Sequence, residues 1–364
     1  MSRIISFLLS IVMLLFPSLN IPEVELDTDR WNTNYTYVFV HGLSGWGSYD
    51  AQYKLMPYWG MFGGDLMKYL NARGFDCVAA SVAPQGSAWD RACELYAQLT
   101  GKVTDYGAEH SSRCKHERFG PDFTGKALID EWSTEKKINI LGHSFGGATV
   151  RLFAELMANG SSAERSATKQ SDISEFFTGG KADWIYSLTS LAAPHNGTTA
   201  YETGGEVQTV SDAASADTAA YDMHIDNALE LNKRISTLPD VYYFSYACTS
   251  TVKNADGSYS PINEKTEIIF RSSAEQLGKY TGTTAGGYVI DEKWLENDGL
   301  VNTYSALAPL YAPSISYSQG NAQRGMWNIM PVYDGDHMSL QGGLFKTNNV
   351  RTLYVDFFCM INSL

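Results

Sequence analysis

An α/β architecture is what this sequence predicts: a mostly parallel central sheet with helices packed on both faces. Three observations carry that expectation. Short apolar runs rich in β-branched residues alternate with stretches of helical periodicity. Several of the runs stop at small or polar turns, as at His41-Gly42 and Ala193-Pro194-His195. The chain has 364 residues and is 44% apolar, enough for a large core.

The N-terminus stands apart from that pattern. Ser2-Arg3 brings a positive charge, and residues 4–16 are apolar except for Ser6 and Ser10. That run is short for a bilayer span and reads as a signal-peptide core. Residues 1–24 are therefore set apart as a signal peptide. With no A-x-A cleavage pattern, an uncleaved N-terminal anchor is the alternative. Residues 25–364 read as one domain of a secreted protein.

Strands are expected over residues 37–40, 77–82, 138–141, 185–192 and 241–247. Helices are expected over 64–71 and 122–131, and over a final stretch, 350–361. The net charge of -13 excludes phosphate-backbone binding as a main task, since nucleic acid needs clustered Lys and Arg. Nothing in the sequence sets an oligomeric state. The five cysteines, Cys77, Cys93, Cys114, Cys248 and Cys359, contain no C-x-x-C pair.

The chemistry centres on Gly142-His143-Ser144-Phe145-Gly146, a G-x-S-x-G pattern. The run Ile138-Asn139-Ile140-Leu141 precedes it as a strand. Val150, Phe153, Ala154 and Met157 follow at i, i+3, i+4 and i+7, one face of a helix. A serine between strand and helix, flanked by glycines, is the setting of a nucleophile elbow. A hydroxyl needs a base, usually a histidine held by a carboxylate. In the elbow fold the order is Ser, then acid, then His. Of seven histidines, His195, His224 and His337 follow Ser144. His337 sits in a polar loop before the last helix, where that order puts the base. For the acid, Asp298 competes with Asp291, Asp334 and Asp336, and spacing separates them only slightly. The oxyanion donors should be the N–H groups of Phe145, next after the nucleophile, and of Leu43, after the first strand.

Several long stretches resemble the family I.5 bacterial lipases, the thermoalkalophilic bacillus enzymes, with staphylococcal lipases as cousins. They include HGLSGWG, YWGMFGGDL, DYGAEHSSRCKHERFG, GHSFGGATVR, APHNGTT and WLENDGLVNT, within residues 36–345. The resemblance implies an α/β-hydrolase fold acting on carboxylic esters, with Ser144 as nucleophile, Asp298 as acid and His337 as base. It places the oxyanion hole at Leu43 and Phe145. It also implies a closed, structural zinc site at Asp90, His110, His116 and Asp222, in an insertion of the fold. Imidazole and carboxylate suit tetrahedral zinc.

Two departures from the family bear on function. Where the family has a long lid, only residues 200–216 remain here, mostly small and polar. A reduced lid and an open site are expected, with weak interfacial activation. The family's calcium site uses acidic residues shortly after the base, whereas residues 338–344 hold no carboxylate, so calcium is not expected. If Asp90 and the two histidines share an ion, Cys93 and Cys114 come close, and a disulfide between them is an expectation. The function expected is a secreted triacylglycerol lipase or carboxylesterase, with an ester or lipid substrate and contact with a lipid interface. Alternatives are a lidless esterase or polyester hydrolase, and a non-catalytic binding protein on the same fold.

Overall fold

Seven strands form one sheet in the computed structural model, which describes residues 26, 28–203, 212–343 and 350–364. The export segment expected at 1–24 lies outside the described residues. So does 204–211, the middle of the shortened lid stretch, and Leu344, the end of the stretch read for calcium.

In chain order the strands are β1 (Thr36–Val40), β2 (Cys77–Ala80), β3 (Ile138–His143), β4 (Ile185–Leu191), β5 (Tyr242–Tyr246), β6 (Ser314–Ser316) and β7 (Trp327–Ile329). Across the sheet they run β6-β7-β5-β4-β3-β1-β2, and every pairing is parallel. The expected mostly parallel sheet is thus present. The two short strands at one end of the sheet, β6 and β7, were not anticipated, because three residues of Ser-Ile-Ser or Trp-Asn-Ile are too short for a period to emerge.

Side-chain alternation divides the core. Tyr37 and Phe39 of β1 face a cluster containing Trp59, Phe75, Tyr354 and Phe358. Val38 and Val40 face the opposite one, with Leu95, Val150, Phe153 and Met157. Both faces of the sheet are therefore dry, which explains the continuous apolar runs. The Tyr37 and Phe358 rings stack 3.6 Å apart, fastening the C-terminal helix to the sheet. Truncating Phe39 to Ala would cost about 3–5 kcal/mol, the range for buried aromatics.

The helices that matter for the site are α1 (Leu66–Asn71), α2 (Ala88–Thr100), α3 (Ala108–Cys114), α4 (Gly146–Asn159), α5 (Ile225–Asn232) and α6 (Val350–Asn362). Ser87 caps α2, its hydroxyl accepting from the Asp90 N–H at 3.2 Å. Asp90 is therefore inside the first turn rather than the cap. The stretch expected to be helical at 122–131 is not. Residues 119–122 pair antiparallel with 103–105, and the Asp122 carboxylate then accepts from the Thr124 N–H at 2.8 Å in a local turn. The ribbon's two strands flank α3 in sequence, and the Tyr106 N–H donating to the Arg118 carbonyl at 2.8 Å closes the segment that carries His110 on α3 and His116 just after it.

Candidate active site

The strand β3 delivers Ser144 to a turn with φ of 53°, the left-handed region that non-glycine residues seldom occupy. Space for that turn comes from the two glycines. A Cβ on Gly142 would lie 2.3 Å from the Gly146 carbonyl oxygen, and one on Gly146 would lie 2.5 Å from the Val40 oxygen. Hydrogen bonds hold the strain in place: Ser144 N–H donates to Leu191 at 2.8 Å, and Gly147 N–H donates to Ser144 at 2.9 Å. Helix α4 begins two residues later, so its positive end points toward the hydroxyl.

His337 Nε2 lies 2.8 Å from Ser144 Oγ, and its Nδ1 lies 2.9 Å from Asp298 Oδ2. The other Asp298 oxygen accepts the N–H groups of Leu300 at 3.0 Å and Val301 at 2.8 Å. The His337 N–H in turn donates to the Asp298 carbonyl at 2.8 Å. Asp298 and His337 are thus tied by backbone as well as side chain. The rival carboxylates have other partners. Asp334 pairs with Lys265, Asp291 caps a short turn at Lys293, and Asp336 accepts from the Glu267 N–H at 2.7 Å. Burial raises the Asp336 pKa, yet it does not touch His337's ring. His195 bonds Ser190 Oγ at 2.7 Å, and His224 approaches Glu202 at 3.4 Å.

Neither the Leu43 nor the Phe145 amide has a hydrogen-bond partner among the described residues. The loop carrying Leu43 is clamped from behind. Arg91 of α2 is fully buried and donates to the carbonyls of His41 and, at 3.3 Å, Gly42. Burial lowers the Arg91 pKa to about 10. His41 donates from Nδ1 to the Gly42 oxygen at 2.8 Å and accepts the Val82 N–H at 3.2 Å on Nε2. Burial, aided by the Arg91 charge, lowers its pKa to about 3, so the ring is neutral.

A second set of hydrogen bonds runs behind His337. Gly42 N–H donates to Tyr58 Oη at 3.1 Å, and that oxygen lies 2.6 Å from His143 Nδ1. His143 Nε2 lies 2.8 Å from the His337 carbonyl oxygen. A carbonyl only accepts, so Nε2 carries the proton and Tyr58 donates to Nδ1. Burial, then the neighbouring His337, lowers the His143 pKa to about 3, in keeping with that neutral tautomer. Tyr58 was not anticipated from the sequence, since it carries no motif signal of its own.

A cleft of about 270 Å³ opens over Ser144 and His337, walled by Leu43, Trp46, Met61, Met223 and Leu300. A larger cavity of about 780 Å³ lies beside α3 and α4 and reaches none of Ser144, Asp298 or His337.

In that larger cavity's wall, which His110, Cys114 and Asp217 help to form, His110 Nε2 lies 3.1 Å from Asp90 Oδ1 and 3.3 Å from Asp217 Oδ2. His116 Nε2 lies 3.2 Å from Asp217 Oδ2 and 3.9 Å from Asp90 Oδ1. His116 Nε2 is buried and makes no hydrogen bond, although two carboxylates surround it. Such a donor set, with an orphaned ring nitrogen at its centre, fits a divalent cation. The ligand atoms of His110, Cys114, His116 and Asp217 all lie within 4.8 Å of one another. Against burial, the bonds to Asp217 and Asp90 raise the His110 pKa to about 9.

One expected ligand is corrected. Asp222 does not join the two histidines; its Oδ2 accepts the Ala88 N–H at 2.7 Å, at the start of α2. Thr218 caps the short helix Ala219–Met223, which turns Asp222 toward α2 and leaves Asp217, just before the cap, facing the rings. Burial raises the Asp222 pKa to about 7. The disulfide expected between Cys93 and Cys114 is also absent. Both are free thiols, Cys93 packed among α2 and α4 side chains and Cys114 beside the His110 ring.

The family model described as "Lipase-like, C-terminal domain" matches residues 33–214 and 206–363. The chain belongs to that lipase-like family. "Lipase 2" of Staphylococcus aureus is 30% identical over 85% of this chain. The chain spans 50% of that relative's length. Among solved structures, EstA from Clostridium botulinum superposes with a TM-score of 0.82 at 30% identity, covering 94% of this chain and 90% of its own. Staphylococcus hyicus lipase gives 0.80 at 25% identity, covering 93% and 98%. The staphylococcal likeness expected from the sequence and the α/β-hydrolase-like fold are both present.

Proposed function

We propose that this chain is a secreted serine hydrolase that cleaves carboxylic esters through an acyl-enzyme. The single observation that carries the proposal is the contact of His337 with Ser144 on one side and Asp298 on the other. His337 takes the Ser144 proton as the hydroxyl attacks the ester carbonyl. The oxygen that becomes negative is met by the unpartnered N–H groups of Leu43 and Phe145, beside the positive end of α4. His337 then returns the proton to the departing alcohol. Water activated by the same ring releases the acid from Ser144 and restores the enzyme. Asp298, fixed by two amides, holds the His337 tautomer and offsets its transient charge.

Asp90, His110, His116 and Asp217 would hold a zinc ion, which when bound supplies a cross-brace between α2, α3 and the segment before Thr218. The names of the family and of its relatives support a lipase or esterase. An esterase reading is favoured by the modest size of the cleft, about 270 Å³. Its apolar walls suit an acyl chain, and the shortened 200–216 stretch supports a reduced lid and weak interfacial activation. An ester series from acetate to long-chain triglyceride, measured below and above the solubility limit, tests this. The expected result is a maximum at short to medium acyl chains without a jump at the emulsion interface. A steep rise only at the interface, with long chains preferred, would remove the esterase reading and leave a true lipase.

A further inference from the structure

A buried cation without a counter-anion faces a cavity away from the Ser144 cleft. Arg151 of α4 is only 3% exposed, and among the described residues it pairs with no carboxylate. Its guanidinium donates to Asn232 Oδ1 at 2.6 Å and to the His195 carbonyl at 3.5 Å, both neutral acceptors. Arg91 is equally buried but donates to the carbonyls of His41, Gly42 and Ala83 and has Glu94 beside it. Glu155, one turn along α4 from Arg151, is engaged elsewhere. Its oxygens accept from Asn159 Nδ2 and from the Ser236 N–H, each at 2.7 Å. A charge taken out of water is costly unless an opposite charge meets it. Burial lowers the Arg151 pKa to about 10, which still leaves it charged at neutral pH.

Arg151, Asn232 at the end of α5 and Tyr243 of β5 help to line a cavity of about 350 Å³. Buried Pro309 and Trp327, with Ala312, give it apolar walls, and exposed Tyr311 and Pro313 stand where it meets solvent. It reaches none of Ser144, Asp298 or His337. We propose that this cavity binds a monocarboxylate with a short aliphatic chain, the carboxylate on Arg151 and the chain against Pro309, Ala312 and Trp327.

The donors suit that anion. A planar guanidinium matches the two oxygens of a carboxylate. Tyr243 Oη accepts the Leu238 N–H at 3.0 Å, and its own proton has no acceptor among the described residues, so it is available to the same anion. Arg151 and the Tyr243 hydroxyl interact electrostatically, which puts both at one end of the cavity. Lys233 also lines the cavity, but it is half exposed and bonded to Glu230 at 2.5 Å. One uncompensated cation suits a singly charged acid better than a phosphate dianion. The apolar walls favour an aliphatic chain over a hydrated inorganic ion. Ser144 takes no part, so the site stands apart from the ester-hydrolase proposal.

Calorimetric titration of sodium butyrate into the full chain carrying Ser144→Ala, at pH 7 and constant ionic strength, tests the assignment. Sodium chloride and inorganic phosphate are titrated in parallel. Butyrate should bind saturably at one site, and chloride and phosphate roughly tenfold more weakly or worse. Adding Arg151→Met should weaken butyrate binding by roughly tenfold or more, since a charge-assisted contact is lost, while Arg151→Lys should retain part of it. Ala312→Trp fills the cavity from its rim without touching the charge and should block butyrate as well. Circular dichroism checks that each variant is folded, and if Arg151→Met does not fold, Ala312→Trp decides alone. No saturable butyrate binding overturns the site, as does an affinity that folded Arg151→Met or Ala312→Trp leaves unchanged. Chloride or phosphate binding as tightly as butyrate overturns the choice of a carboxylate.

Discussion

His143 Nε2 donates to the carbonyl oxygen of His337 at 2.8 Å, so the residue preceding Ser144 holds the backbone of His337. The link ties the β3 elbow to a loop far along the chain. Its other end is Tyr58, which bridges His143 Nδ1 and the Gly42 amide beside the Leu43 donor. The Ser144 turn, His337 and the loop bearing Leu43 are thus braced by one chain of hydrogen bonds.

Replacing Tyr58 by Phe removes that bridge and leaves two buried groups unpaired. Unfolding stability should fall by about 1–3 kcal/mol. Turnover should fall roughly tenfold through misplaced reacting groups, with KM little changed. Denaturant titration and steady-state kinetics check both. A Tyr58→Phe enzyme with wild-type kcat would mean that the bridge does not position the base.

Stability should fall on acidification because of three buried, neutral histidines. Burial lowers the folded-state values of His41 and His143 to about 3 and that of His195 well below the ordinary one. The unfolded chain takes up those protons first, at its ordinary value of about 6.5. The contribution is therefore complete above about pH 6.5 and is lost progressively as pH falls toward 3. Each such group gives a slope of about 1.4 kcal/mol per pH unit once the unfolded state is protonated. Melting temperatures from pH 8 to pH 4 check this, and His195→Gln should flatten the acid limb by about one proton. A wild-type melting temperature that holds steady from pH 6.5 to pH 4.5 would contradict it.

The two candidate fourth ligands make different predictions. Asp217→Asn should weaken zinc binding by roughly tenfold or more and lower the melting temperature of the zinc-loaded chain. Asp222→Asn should leave zinc stoichiometry unchanged, since that carboxylate caps α2 through Ala88. Calorimetric zinc titration distinguishes them. The reverse pattern would restore Asp222 as the ligand.

Local pattern made the sheet and the elbow legible. The apolar runs of β1 to β5 and the 3.6-residue period after Ser144 are short-range signals, and they locate the strand, turn and helix of the site. Asp298 was separated from its rivals by family resemblance rather than spacing. Its distinction is three-dimensional: the amides of Leu300 and Val301 hold it, whereas Asp336 is held by Glu267. Asp217 and Asp222 stand five residues apart in one short segment, and only the cap at Thr218 decides which faces the histidines. Tyr58 and Arg91 act through contacts 85 and 50 residues away in sequence, a separation that no periodicity encodes.

The most direct test of the account is covalent labelling with a fluorophosphonate, which reacts with a hydroxyl only when base and oxyanion donors are assembled around it. Wild type should take up one label per chain, located on Ser144 by peptide mapping, while Ser144→Ala takes up none and His337→Ala labels at least a thousandfold more slowly. Label on another residue, or Ser144→Ala retaining the wild-type rate of labelling and ester turnover, would contradict it.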